Sequence, residues 1–264
     1  MRLSETQLNK FRSEGFLLLP EYFMRDEVET ICNEVPALLA KESEARVLES
    51  NRRAVRAVHG CHLENHVMRR LTLHPKLLKP AIQIVGSGVY VCQFKINAKA
   101  GFDGTAWPWH QDFKHWKEED GLASPRMINV ALYLEDVTSF NGPIMIIPGS
   151  HKSGNWCEVE LEDSDWAARY RADVKYTMDK RSVVELVARN GVVSTEAPRG
   201  SVLFFDVNVA HGSASNISPF NRWIVIVSYN SIDNVPRSIR DPRAEFLVGR
   251  DHTELIPTPW DASC

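Results

Sequence analysis

The chain has 264 residues, 44% of them apolar and 25% charged, which is ordinary globular usage and excludes both disorder and a fibrous architecture. With 31 basic and 34 acidic residues the formal charge is −3, so there is no basic stripe for a nucleic-acid backbone and no polybasic membrane anchor. The opening MRLSETQLNKFRSEG lacks the apolar segment of a signal peptide, and no run of about 18 apolar residues occurs. The expectation is a cytoplasmic protein with no nucleic-acid or membrane partner, either a monomer or a homodimer.

Ser4 and Gln7 form a capping box, flanked by a Leu3–Leu8 staple and closed by Gly15, which predicts a helix over roughly 4 to 14. A second helical pattern starts near Asp26, with Val28, Ile31, Cys32 and Val35 on one face and a disturbance expected at Pro36. LENHVMRRL extends the helical reading, so residues 1–87 are expected to be a mostly helical outer layer. From Gly88 the period changes to two. Tyr90, Cys92, Phe94 and Ile96 are expected to face the helices, and Gln93, Lys95 and Asn97 to form a polar inner row. Strand-like runs follow at 127–134, 143–148, 200–207 and 222–229, broken by Asn141-Gly142, Pro148-Gly149 and Pro219. Strands without βαβ alternation indicate an antiparallel barrel or sandwich over 88–230. A charged stretch at 155–198, with a capped helix from Asp179 to Gly191, is a candidate lid, and 231–264 a C-terminal extension of the same single domain, 1–264. The five cysteines are scattered and never in a C-x-x-C pair, so they are read as mostly buried thiols.

Chemistry concentrates in WHQDF. If the segment is extended, His110 and Asp112 share one face and can reach one metal. An H-x-D pair alone is weak evidence, since chance supplies about half a match per chain of this composition. The rival His62/Glu64 lies in a helical pattern where i and i+2 point apart, and His252/Glu254 has no histidine downstream. His211 follows the run SVLFFDVNVA, and Arg222 opens the next strand. A histidine ending one strand and an arginine opening its neighbour can face one cavity, where a guanidinium fork suits a carboxylate and Ser213 can add a hydroxyl. Two imidazoles and a carboxylate leave three open positions on an octahedral iron.

These segments, WHQDF, then NGPIMIIPGSH (141–151), then HGSASNISPFNR (211–222), resemble the phytanoyl-CoA dioxygenase family of iron and 2-oxoglutarate oxygenases over about Leu8 to Asp251. Within it, QFKIN before WHQDF, the Trp-Lys pair after His115, DGLASPR and NISPF look like ectoine hydroxylase and bacterial hydroxylases of free amino acids such as leucine 5-hydroxylase. The resemblance implies a mainly β fold with flanking helices, a cupin-like double-stranded β-helix or jelly roll. It implies His110, Asp112 and His211 as ligands of Fe(II), Arg222 and Ser213 as the 2-oxoglutarate carboxylate site, and Lys95 and Asn97 on the strand bordering that co-substrate. Gln93 and Trp116 match substrate-contact positions, and O2 is the second co-substrate. Asp112 stands where related halogenases have Ala or Gly, which favours hydroxylation of an unactivated C–H bond. The expected substrate is a free amino acid or similar zwitterion. Alternatives are another secondary metabolite, a carrier-tethered aminoacyl group, a metal hydrolase, or a non-catalytic binding protein.

Arg126 is weighed evenly between a substrate carboxylate and a surface salt bridge. His115 is read as a non-ligand, out of strand phase with His110 and Asp112. His151 is read as closing a turn, Trp107 and Trp109 as packing, and Arg53, Arg56 and His59 as a solvated helix face.

Overall fold

Ser4 begins the first helix as its side chain allows: in the computed structural model, which describes residues 2–159, 175–237 and 242–260, its hydroxyl accepts from the Gln7 amide and the Gln7 side chain returns to the Ser4 amide. Helix α1 (Glu5–Glu14) ends at Gly15 in the left-handed conformation, and β1 (Phe16–Leu19) follows at once. Helix α2 (Arg25–Ala40) runs through Pro36 without the expected break. Pro36 sits on the exposed face, so the backbone bond it cannot make is lost where solvent can substitute, while Val28, Ile31 and Val35 stay packed. Two short strands, β2 (Arg46–Leu48) and β3 (Val55–His59), then interrupt a region expected to be mostly helical. Helices α3 (Cys61–Glu64), α4 (His66–Thr72) and α5 (Pro75–Val85) complete the layer.

The barrel is made by β4 (Val89–Lys99), β5 (Trp107–His110), β6 (Met127–Tyr133), β7 (Ile144–Ile146), β10 (Val193–Ser194), β11 (Val202–Asp206), β12 (His211–Ser213) and β13 (Arg222–Ser231), with helix α6 (Asp112–Asp120) between β5 and β6. A ribbon of β8 (Cys157–Val159) and β9 (Tyr176–Met178) and helix α7 (Lys180–Asn190) precede β10. Among the described residues a seven-stranded antiparallel sheet has the order β1-β11-β6-β13-β4-β3-β2, and a four-stranded one the order β10-β7-β12-β5. The two sheets make the expected mainly β, jelly-roll architecture.

Strand alternation divides the core cleanly. Ile128, Val130 and Leu132 of β6, Val202 and Phe204 of β11, and Val225 and Val227 of β13 pack outward on the helices. Their neighbours Ala131, Tyr133, Leu203, Phe205, Ile224 and Ile226 pack inward against Ile144 and Ile146 of the smaller sheet. Each fully buried Val, Ile or Phe contributes about 1.5–3 kcal/mol over an exposed one.

On β4 the alternation shifts. The β13 partners run Val227↔Phe94, Ser228↔Gln93, then Tyr229↔Val91, so Cys92 is an extra residue, a β-bulge. Phe94 and Ile96 face the helices as expected, but beyond the bulge Val89 and Val91 do so, and Tyr90 and Cys92 join a separate inner cluster with Trp116 and Leu247.

Residues 160–174, the middle of the candidate lid, lie outside the described residues, as do 238–241 and 261–264 with Cys264. Cys61, Cys92 and Cys157 are buried free thiols and Cys32 is half-buried.

Candidate functional site

His110 ends β5 and His211 begins β12, and the two are direct cross-strand partners in the smaller sheet. Their rings stand 4.2 Å apart. Asp112 does not continue the strand. It is the first residue of α6, after an extended Gln111, and the turn of the chain at the helix start swings its carboxylate back to the histidines. Its Oδ1 lies 3.6 Å from His110 Nε2 and its Oδ2 3.5 Å from His211 Nε2. One donor atom from each residue falls within 4.8 Å of the others, the metal-binding cluster found among the described residues.

Backbone carbonyls set the imidazole tautomers. Pro108 O lies 2.7 Å from His110 Nδ1 and Val209 O lies 3.0 Å from His211 Nδ1. A carbonyl only accepts, so each Nδ1 carries the proton and each Nε2 offers a lone pair to the centre. Burial and the neighbouring His211 push His110 down to about 3, against the raising effect of Asp112, so the ring is neutral at physiological pH. Burial raises Asp112, but His211, Lys95, His110 and the Asn129 amide together hold it below the usual carboxylate range. The Asn129 amide donates to Asp112 Oδ2 at 2.7 Å and its carbonyl accepts from Ser228 at 2.6 Å. Gln111, buried between two ligands, donates to Asn208 O and Gly154 O and accepts from the Trp156 amide, tying β5 to the loop before His211. Neither Asn129 nor Gln111 carries a sequence signal beyond proximity to the motif.

The triad opens into a cleft that Gln93, Lys95, Asn97, Trp107, His115, Trp116, Ser213 and Arg222 also line. Arg222 and His211 therefore share a cavity, though not as neighbours in one sheet: Arg222 opens β13 of the large sheet and His211 belongs to the small one, so they face each other across the barrel. Arg222 is 1% exposed, and none of its three guanidinium nitrogens has a hydrogen-bond partner among the described residues. Burial lowers it to about 10, with Tyr133 and Glu135 opposing. Such a buried fork demands an anionic partner. Gln93 donates to Leu247 O at 2.9 Å, so its amide also anchors the C-terminal segment.

The structure revises some of the other sequence readings and agrees with the rest. His115 was judged by strand phase, yet it lies on α6 three residues after Asp112, lines the cleft and accepts from Arg243 Nη1. Arg126 is exposed, outside the cleft, and pairs with Asp233 at 3.3 Å. Arg53 is exposed, but Arg56 and His59 are buried on β3 rather than on a solvated helix. Arg56 pairs with Glu49 at 3.0 Å and stacks on Trp107 at 3.8 Å, fixing a wall of the cleft. Trp109 packs in a satellite core, and His151 sits in a 3₁₀ turn with Nε2 3.2 Å from Arg12 O.

The family model described as phytanoyl-CoA dioxygenase matches residues 11–224. The chain belongs to the phytanoyl-CoA dioxygenase family. An L-proline trans-4-hydroxylase of Streptomyces griseoviridis is 35% identical over 96% of this chain and 95% of its own length. An ectoine dioxygenase of Bordetella bronchiseptica is 35% identical over 96% and 85%. The solved structure of EctD from S. alaskensis with 2-oxoglutarate and 5-hydroxyectoine superposes with a TM-score of 0.85 at 30% identity, covering 98% of this chain and 89% of that one. The same enzyme with bound Fe gives 0.83.

Proposed function

We propose that this chain is an Fe(II)- and 2-oxoglutarate-dependent dioxygenase that hydroxylates an unactivated C–H bond of a small zwitterion, a free amino acid or close relative. The observation that carries the reading is a triad of two imidazoles and a carboxylate in the same cleft as a buried arginine fork without a partner among the described residues. The relatives named as proline and ectoine oxygenases act on small molecules of this kind.

The residues present fit the group. His110 Nε2, His211 Nε2 and one Asp112 oxygen would hold the iron, and Asn129 keeps the carboxylate oriented. When bound, ferrous iron supplies dioxygen activation coupled to decarboxylation of 2-oxoglutarate to succinate and carbon dioxide. Arg222 grips the distal carboxylate of the 2-oxo acid, and Ser213 donates beside it. Lys95 and Asn97 border the co-substrate, Asn97 with a buried carbonyl that has no donor among the described residues. In the same cleft, the buried Trp116 indole N–H has no acceptor among the described residues and suits a substrate carboxylate, and Gln93 and His115 also line the cleft. Residues 1–264 work as one catalytic domain. Among the described residues no helix is long and apolar enough to cross a membrane, and the reading is of a cytoplasmic monomer or homodimer.

The test is anaerobic reconstitution with Fe(II), then oxygen and 2-oxoglutarate, scoring succinate against a panel of free amino acids and related zwitterions. Succinate release stimulated by one compound, with a product heavier by one oxygen, supports the reading. No iron uptake and no succinate under any condition refutes it.

A further inference from the structure

Lys99 ends β4 directly across from Arg222 on β13 and is 2% exposed. Its stem passes through a channel kept open by two glycines. A Cβ on Gly104 would stand 2.3 Å from Lys99 Cγ, and one on Gly142, whose φ is 75°, would stand 2.7 Å from Cδ and 3.0 Å from Nζ. The channel delivers the amino group behind the cleft wall, where it donates to Ser213 Oγ at 2.7 Å and to the carbonyl of Ala214. Glu49, the acidic group acting on it, is already paired with Arg56 at 3.0 Å. Two buried basic groups thus stand side by side, and the protein itself pairs neither with a carboxylate among the described residues.

The direction of the Ser213 bond matters. An ammonium only donates, so Ser213 Oγ accepts from behind and its own proton is left for an acceptor in front, in the cleft shared with Arg222. A neutral amine could instead accept that proton and turn the hydroxyl away from the cleft. Burial, Arg222 and Arg56 lower Lys99 to about 6, with Glu49 opposing, so an entering anion also favours recharging it.

We propose that Lys99 is a positioning residue for the co-substrate: it holds the Ser213 hydroxyl as a donor into the cleft and places a second positive charge behind Arg222, against the distal carboxylate. The inference rests on the 2-oxoglutarate reading of this cleft. It is tested by anaerobic calorimetry of the Fe(II) protein with 2-oxoglutarate and with 2-oxopentanoate, which keeps the chelating end and lacks the distal carboxylate. Lys99→Met weakens 2-oxoglutarate about tenfold, the scale of one charge-assisted bond, and leaves 2-oxopentanoate within about twofold. In a Ser213→Ala background the same change costs less than about threefold, because most of the effect passes through the hydroxyl. Repeated near pH 7.5 in two buffers of different ionisation enthalpy, wild type takes up protons with 2-oxoglutarate and not with 2-oxopentanoate. Lys99→Gln serves as the second variant, and the proton measurement needs no variant at all. Equal weakening of both acids, undiminished 2-oxoglutarate affinity, or equal proton uptake with both acids overturns the proposal. A wild type that binds no 2-oxoglutarate refutes the reading of the cleft, and this inference with it.

Discussion

Replacing Arg222 with methionine separates binding from folding, because the side chain is buried without a hydrogen-bond partner among the described residues. In the ligand-free protein the substitution removes an uncompensated charge and keeps most of the volume, so the thermal midpoint holds or rises. With the co-substrate the effect reverses. Two charge-assisted bonds to a carboxylate, each about 1.5–3 kcal/mol, imply a loss of 2-oxoglutarate affinity of at least about a hundredfold. Unfolding entropy near 2.1 cal/mol/K per residue gives about 0.55 kcal/mol per kelvin for 264 residues. At a concentration of 100 times Kd, ligand stabilises wild type by about 2.7 kcal/mol, or about 5 °C. At the same concentration the variant gains about 0.4 kcal/mol, less than about 1 °C. Scanning fluorimetry of the metal-loaded protein without oxygen reads both numbers. A variant that keeps most of the 5 °C shift, or that loses several degrees before ligand is added, refutes the assignment.

Asn129→Leu removes the donor at Asp112 Oδ2 and lowers Fe(II) affinity about 10- to 100-fold in a chelator competition, with the fold unchanged by circular dichroism. Trp116→Phe keeps the wall and removes the indole donor, raising the substrate KM about tenfold while the 2-oxoglutarate KM stays within about twofold in steady-state assays. Arg243→Met leaves Asp120, whose side chain is 3% exposed, without its ion pair and lowers stability by about 3 kcal/mol, seen as a drop of about 5 °C that Asp120→Asn in the same chain partly restores. Lys99 falls from the ordinary 10.5 to about 6 on folding, so between those values the unfolded chain binds the extra proton and stability increases as pH rises, by up to about 1.4 kcal/mol per unit. Denaturant titrations of the ligand-free protein from pH 6.5 to 9.5 show that slope in wild type, and Lys99→Met flattens it.

What could be read from the sequence was local and periodic. The Ser4 cap and Gly15 stop bounded α1, the Asp179 and Gly191 pair bounded α7, and the long strands at 127–134 and 222–229 emerged from their alternation. His110, Asp112, His211 and Arg222 are gathered where the motif spacing placed them, although by a different local route. The chain becomes helical one residue after Gln111, so strand parity misjudged both how Asp112 reaches the centre and where His115 points. Periodicity also assumed an unbroken β4, and the extra Cys92 reverses its N-terminal half. The strands β1, β2 and β3 are three to five residues long; β1 is fixed by β11 and β3 by β4, partners that no local window contains, and β2 has only its hairpin with β3. Lys99 gave no signal because a buried lysine and a surface lysine are spelled alike. Its burial depends on Gly104 and Gly142 from two other loops.

Helix α6 carries the triad's Asp112 at its first residue and the cleft-lining His115 and Trp116 three and four residues later. Its outer side is tethered by Arg243 to Asp120 and by Tyr176 and Lys175 to Glu119. A rigid rod with a rise of 1.5 Å per residue thus sets the spacing between the triad and that wall of the cleft, and under the proposed function it works as a gauge between oxidant and target carbon. Small rolls of that rod, driven by changes at the tethers rather than at the iron, would bring a different carbon under attack, so selectivity in this scaffold can drift while the metal chemistry stays untouched.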